Sequence, residues 1–247
     1  MNQIIQQLYD RKSVRVFTDR EITPEEKLAI LTAAVNAPTA GNQQLYTILD
    51  ITRQDLKARL AETCDNQPFI ATAKMVLIFC ADCQKWYDAF KTSGSEPRLP
   101  GAGDLLLAVS DANIAAQNAV MAAHSLGIGS CYIGDVMERC ETHRELLGLP
   151  EYVFPAAMLV FGCPTEQQIS RQKPQRVEMK HVIHENGYRR MDGEELKAMF
   201  LPKCGVRSYE DWMSAFCNRK YNSDFAREMT RSVEEYLRSF GMERGEL

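Results

Sequence analysis

MVLIFCAD, residues 75–82, decides the fold class. Met75 to Ala81 are apolar without a break, whereas a strand with one wet face alternates apolar and polar residues, so this run reads as a central strand buried on both faces. Working outward, TILDIT (47–52), GSCYIG (129–134) and VFPAAMLVFG (153–162) read as further strands, being short, apolar and rich in residues that suit a pleated surface. Helical patterns lie between them. Thr23-Pro24-Glu25-Glu26 supplies an N-cap, a proline at the first helical position and a glutamate three residues on; Leu28, Leu31 and Val35 follow at helical spacing, and Pro38 should stop the helix. From Asp104 to Leu126 runs a long helix, with Ala112, Ala115, Ala116, Ala119, Ala122 and Ala123 on several sides and Gly127 beyond its end. Small residues there permit close approach, as in a domain centre, a subunit interface, or both. Alternating helices and strands argue for a layered α+β or α/β domain.

The chain has 247 residues, 45% hydrophobic and 25% charged, the balance of an ordinary globular protein. Its 29 Lys and Arg against 33 Asp and Glu leave −4, so no global field favours nucleic acid or an anionic membrane. MNQIIQQLYDRK lacks the pattern of a signal peptide, and no stretch reads as a membrane span. A cytoplasmic protein is expected. Eight scattered cysteines then read as buried thiols rather than disulfides. Cys80 and Cys83 form a CxxC at a strand end; they are either a redox pair, half of a metal site, or a buried thiol beside an incidental one. No second CxxC, HExxH, GxSxG, GxxxxGK[ST] or GxGxxG occurs, so a metal centre is not expected. A nucleotide-like cofactor would need side chains to hold its phosphate.

RKSVRVF, residues 11–17, offers such side chains. Extended, it puts Arg11, Ser13 and Arg15 on one face and Val14 and Val16, with Lys12, on the other. The first face suits an anion while the valines anchor the segment; a surface strand with solvated charges is the alternative. A second basic cluster, Arg171, Lys173 and Arg176, follows GCPTEQQIS. If the two clusters meet, they make a dianion site. Beyond it, residues 192–202, 208–219 and 223–240 read as helices, the last with an apolar stripe at Phe225, Met229, Val233, Tyr236 and Phe240.

RKSVRVF followed by PTAGNQQ, NQPFIATAKMVLIFCAD, LGIGSCYIGD and the basic loop after GCP resemble, in order, the motifs of the FMN-dependent nitroreductase family over residues 1 to about 180. The resemblance implies a three-layer α/β/α sandwich with a mainly antiparallel central sheet over 1–190; the helical C-terminal extension, 191–247, is longer than the family's minimal fold and is expected to pack on the body or on a dimer partner. It implies a homodimer with FMN at the subunit interface. Arg11, Lys12, Ser13 and Arg15 would contact the FMN phosphate and ribityl chain, and Lys173 with Arg176 or Arg171 would close the phosphate site. Pro38, Thr39 and Asn42, from the other subunit, would line the ring. Gln67 would reach the ribityl or pyrimidine end; Tyr132, Ile133, Gly134 and Asp135 would run beside the isoalloxazine, a main-chain N–H near Gly134 facing flavin N5. Leu45-Tyr46 stands where the family often has Pro-Trp, and K-P-Q-R where it often has K-P-R.

The implied activity is ping-pong hydride transfer from NAD(P)H through the flavin to a small nitroaromatic, quinone or flavin acceptor. No protein side chain is expected to be catalytic, because the cofactor carries the chemistry. The alternatives are a relative that dehalogenates or consumes its flavin, with residues 92–103 as a lid, and a non-catalytic flavin-binding module.

Overall fold

The computed structural model describes residues 1–241. Four strands, β1 (Tyr46–Asp50), β2 (Met75–Asp82), β3 (Gly129–Ile133) and β4 (Val153–Gly162), form one sheet in the order β1-β2-β4-β3 with every neighbouring pair antiparallel. Both central strands, β2 and β4, are buried along their whole length. The helices are α1 (Gln3–Asp10), α2 (Pro24–Val35), α3 (Gln54–Thr63), α4 (Pro68–Thr72), α5 (Gln84–Thr92), α6 (Ala102–Ser125), α7 (Cys140–Leu147), α8 (Glu166–Ser170), α9 (Gly193–Phe200), α10 (Tyr209–Lys220) and α11 (Asp224–Arg238).

The unbroken apolar run of β2 has a direct cause. Its residues alternate between two cores: Met75, Leu77, Phe79 and Ala81 join Ile30 of α2 and the buried alanines of α6, whereas Val76, Ile78 and Cys80 join Leu60 of α3 and Ile70 of α4. Helices on both faces of the sheet make the three-layer sandwich. In α6, Ala108, Ala112, Ala115, Ala116, Ala119 and Ala123 are buried, and such small side chains let the helix lie close to the sheet. This helix also has the length and hydropathy of a membrane span, contrary to the expectation of no such stretch. Its place between the sheet and α2 accounts for that composition.

The caps follow the sequence. The Thr23 hydroxyl accepts from Glu26 N at 3.2 Å, and Thr23 N donates to the Glu26 carboxylate at 2.9 Å. At α6 the helix starts two residues before Asp104, whose carboxylate accepts from Gly101 N at 2.8 Å.

By contact density the chain divides into two compact units. One is Met1–Arg171 with the segment that begins at Met229; the other is Gln172–Glu228. This division differs from a boundary near residue 190, because the end of α11 belongs to the body. Tyr236 and Phe240 are buried there, edge-on to Phe154 (5.0 Å between ring centroids) and Tyr152 (5.7 Å) respectively. Arg231 adds a two-pronged ion pair to Glu141 of α7, at 2.7 and 2.9 Å, and holds that carboxyl down at about 2. Within the second unit, Trp212 stacks between Phe200 and Phe216, with centroids 6.2 and 5.0 Å away, and Asp192 caps α9 by accepting from Glu195 N at 2.9 Å.

Candidate functional site

Residues 11–17 run extended along the edge of the sheet but form no continuous ladder. They are held by two isolated bridges, Ser13 to Ser130 of β3 and Phe17 to Pro164. Val14 N donates to Ser130 O at 2.9 Å, and Val14 is buried. The expected anchoring by Val16 is corrected: Val16 is 48% exposed, and Phe17 packs inward instead. With only two bridges, the backbone is free to turn between them and strict alternation is lost. Gly129 and Gly162 face each other across the β3–β4 pair and make room for the crossing segment. A Cβ on Gly129 would lie 2.7 Å from Val14, and one on Gly162 would lie 2.6 Å from Phe17.

Four of the expected cations lie here, with different tasks. The Lys12 ammonium donates to Ile169 O at 2.6 Å and to Arg171 O, so it caps the end of α8. Arg171 donates through Nη2 to the Ser13 carbonyl. Arg15 is exposed, its guanidinium 6.0 Å from the centre of the Phe69 ring and its backbone N–H 3.3 Å from the buried Gln168 amide oxygen. Arg11 lies over the Tyr132 ring at 5.7 Å, and its Nε and Nη2 are shielded from solvent without a hydrogen-bond partner. Those two nitrogens share one edge of the guanidinium. A single two-oxygen acid group satisfies both, and leaving them unmet costs about 1–3 kcal/mol. Arg11 thus aims an unsatisfied fork, and Lys12 and Arg171 fix the backbone around Ser13. Burial pushes the Tyr132 phenol up to about 12, with Arg11 pulling it down; its hydroxyl donates to Gln117 Oε1 at 3.3 Å.

The Pro38–Gln44 turn is built on a residue that motif reading missed. Asp111 of α6, 3% exposed, accepts from the Thr39 hydroxyl, from Ala40 N at 3.0 Å and from Leu45 N at 3.2 Å. Gln44 N in turn donates to Thr39 Oγ1 at 2.8 Å. Gly41, Asn42 and Gln44 all take positive φ (56°, 57° and 49°), so the carboxylate holds a conformation the backbone would not choose alone. Pro38 and Asn42 are exposed on this turn. The signal in the sequence was an acid on the alanine face of α6, three residues after Ala108 and four before Ala115.

Gln67 caps α4, and its amide is spent on Cys64 O at 2.9 Å. Tyr132 and Ile133 end β3, while Gly134 and Asp135 lead into a short 3₁₀ turn, Gly134 exposed. Lys173 and Arg176 are exposed in the second unit. The CxxC is not a dithiol site. Cys80 belongs to the core on one side of the sheet and Cys83 to the core on the other, and burial pushes both thiols up to about 12. Among the described residues no cluster of three or more metal-ligating side chains exists.

An α+β sandwich with an anion fork at the edge of an antiparallel sheet is the class that fold and site define. The model of the nitroreductase family matches residues 8–163, and the chain belongs to that family. It is 33% identical to an FMN reductase [NAD(P)H] of Bacillus subtilis, over 96% of this chain and 91% of that one. It is 34% identical to an oxygen-insensitive NADPH nitroreductase of Salmonella typhimurium, over 81% and 80%. Among solved structures, Bacillus megaterium NfrA2 superposes with a TM-score of 0.79 at 30% identity, covering 96% of this chain and 98% of that one. The NADPH:FMN oxidoreductase of Vibrio harveyi complexed with NAD+ gives 0.77 at 26% identity, covering 97% and 98%.

Proposed function

We propose that the chain is an FMN-dependent oxidoreductase that takes a hydride from NAD(P)H and passes the electrons to a small acceptor, a nitroaromatic, a quinone or a flavin. The observation that carries this reading is the unsatisfied Nε/Nη2 edge of Arg11, which fits a phosphate. When bound, FMN supplies the two-electron chemistry. The chain's own part is to bind, orient and bias: Arg11, Ser13, Arg15 and Arg171 hold the phosphate and ribityl end, with Lys12 fixing the carbonyls that shape it. Tyr132, Ile133, Gly134 and Asp135 flank the ring, Gln67 faces its polar edge, and Pro38, Thr39 and Asn42 cover the ring bound by a partner subunit.

A homodimer suits the exposed apolar side chains of α1, α2 and α6, such as Ile4, Leu28, Leu106 and Leu107. Eight free cysteines, seven of them buried, suit a reducing, cytoplasmic location. The test is an anaerobic titration of the purified protein. A preparation that carries one FMN per chain and bleaches on stoichiometric NADPH or NADH supports the reading. A protein that cannot be loaded with FMN refutes it.

A further inference from the structure

His143 of α7 is fully buried, and its ring joins three elements of the body. Its Nδ1 lies 2.9 Å from Val136 O, in the 3₁₀ turn Asp135–Met137, and its Nε2 lies 2.8 Å from Thr63 Oγ1, at the end of α3. Burial lowers the ring's pKa, with Arg139 acting in the same direction, so the ring carries one proton. A carbonyl only accepts, so that proton sits on Nδ1 and is donated to Val136 O. The Thr63 hydroxyl then donates to Nε2, and both ring nitrogens are spent. Cys64 Sγ lies 4.0 Å from Nε2, but burial pushes its thiol up to about 12, so the two do not form a nucleophilic pair.

The turn needs this partner. Met137 N donates to Gly134 O at 3.0 Å and Glu138 N to Asp135 O at 3.1 Å, which leaves the carbonyl of the buried Val136 for the ring. Without the ring that carbonyl is an unmet buried acceptor. Beyond the turn, Arg139 takes φ 50°, a region that a non-glycine residue rarely adopts, and His143 N donates to Arg139 O at 2.9 Å. The backbone and side chain of His143 thus hold both ends of the joint between β3 and α7. Gly134, at the front of that joint, is exposed.

We propose that His143 is a positioning residue for the flavin: by holding Val136 O it fixes the peptide planes at Gly134 and Asp135, and with them the N–H aimed at flavin N5. The proposal rests on the flavin reading, which puts Gly134 beside the ring. N5 of oxidised flavin accepts a hydrogen bond, whereas two-electron reduction puts a hydrogen on it. A fixed N–H at that place therefore favours the oxidised state, and loosening it raises the midpoint potential. A histidine that merely fills the core leaves the potential of bound FMN unchanged.

Two variants separate the bond from the ring, because asparagine puts an amide N–H where Nδ1 stands and glutamine puts one where Nε2 stands. In His143→Gln holoprotein the preference for oxidised over reduced FMN should fall about tenfold, which raises the two-electron midpoint by about 30 mV. His143→Asn should keep that preference within about twofold of the parent. In flavin-free protein, amide exchange at Met137 and Glu138 should quicken about tenfold in His143→Gln and stay parental in His143→Asn. The parent supplies a readout that needs no substitution, since NMR of the isotope-labelled imidazole should find the His143 proton on Nδ1. A parental potential in FMN-loaded His143→Gln overturns the positioning role, as does an equal shift in His143→Asn or a proton on Nε2. A parent that takes up no FMN refutes the flavin reading and the tuning with it, while faster exchange in His143→Gln still identifies His143 as the tether of the turn.

Discussion

Replacing Gly129 by alanine should open the anion site without touching a charged residue. The new Cβ would lie 2.7 Å from both Cβ and Cγ2 of Val14 and 3.0 Å from Cγ1. Carbon atoms rest about 3.5–4.0 Å apart, so Val14 must retreat by about 1 Å. The hydrogen bond from Val14 N to Ser130 O, now 2.9 Å, then stretches beyond useful range. Losing it costs about 1 kcal/mol, and the overpacking another 1–3 kcal/mol. Arg11 lies three residues upstream on the same segment. Loss of its aligned fork weakens FMN by about 10- to 100-fold, or roughly 1.4–2.8 kcal/mol. The assay is reconstitution of flavin-stripped protein, followed by quenching of flavin fluorescence and by thermal unfolding. Gly103→Ala is the control, since its Cβ meets nothing within 4 Å in the first turn of α6, and it should be neutral or slightly stabilising. Gly129→Ala protein that binds FMN within twofold of the parent and melts at the same temperature would refute the reasoning.

Three further outcomes are expected. Asp111→Ala strips the Pro38–Gln44 turn of its acceptor and leaves the N–H groups of Ala40 and Leu45 unmet, which should cost about 3 kcal/mol in urea unfolding; a loss under about 1 kcal/mol contradicts that role. His143 is fully buried, its Nδ1 donating to Val136 O at 2.9 Å and its Nε2 accepting from Thr63 Oγ1 at 2.8 Å, and burial lowers its pKa. The unfolded chain therefore takes up a proton that the folded one resists as pH falls below about 6.5, so stability should drop over that window. A pH series of denaturant midpoints checks this, and a series for His143→Asn that falls as steeply would assign the loss elsewhere. Cys217 is exposed while the other seven cysteines are buried, so a thiol reagent should label one site per native chain within minutes. Rapid labelling of Cys80 or Cys83 would revive a redox role for the CxxC.

The central strand was legible because both its faces are buried, which leaves Met75 to Ala81 no room for a polar residue. The start of α2 was legible for a local reason, since a capping box satisfies its own amides. Alternation along RKSVRVF was only half informative. It rightly buried Val14, yet it misplaced Val16, and it put Lys12 on the valine face without showing that two carbonyls at the end of α8 claim its ammonium. Such long-range partners leave no periodic trace. Asp111 was hidden for the same reason, because its three partners lie about seventy residues upstream. The stripe of α11 was visible, but only the tertiary structure shows that Tyr236 and Phe240 complete the body's core.

Arg11 is the acceptor-seeking fork of the proposed FMN phosphate site. Titrating flavin-stripped protein with FMN and with riboflavin, which lacks the phosphate, tests it most directly, in the parent and in Arg11→Ala. The parent should prefer FMN by about 100-fold, and Arg11→Ala should lose at least tenfold of that preference while binding riboflavin as before. An Arg11→Ala protein that keeps the full preference for FMN would contradict the central claim.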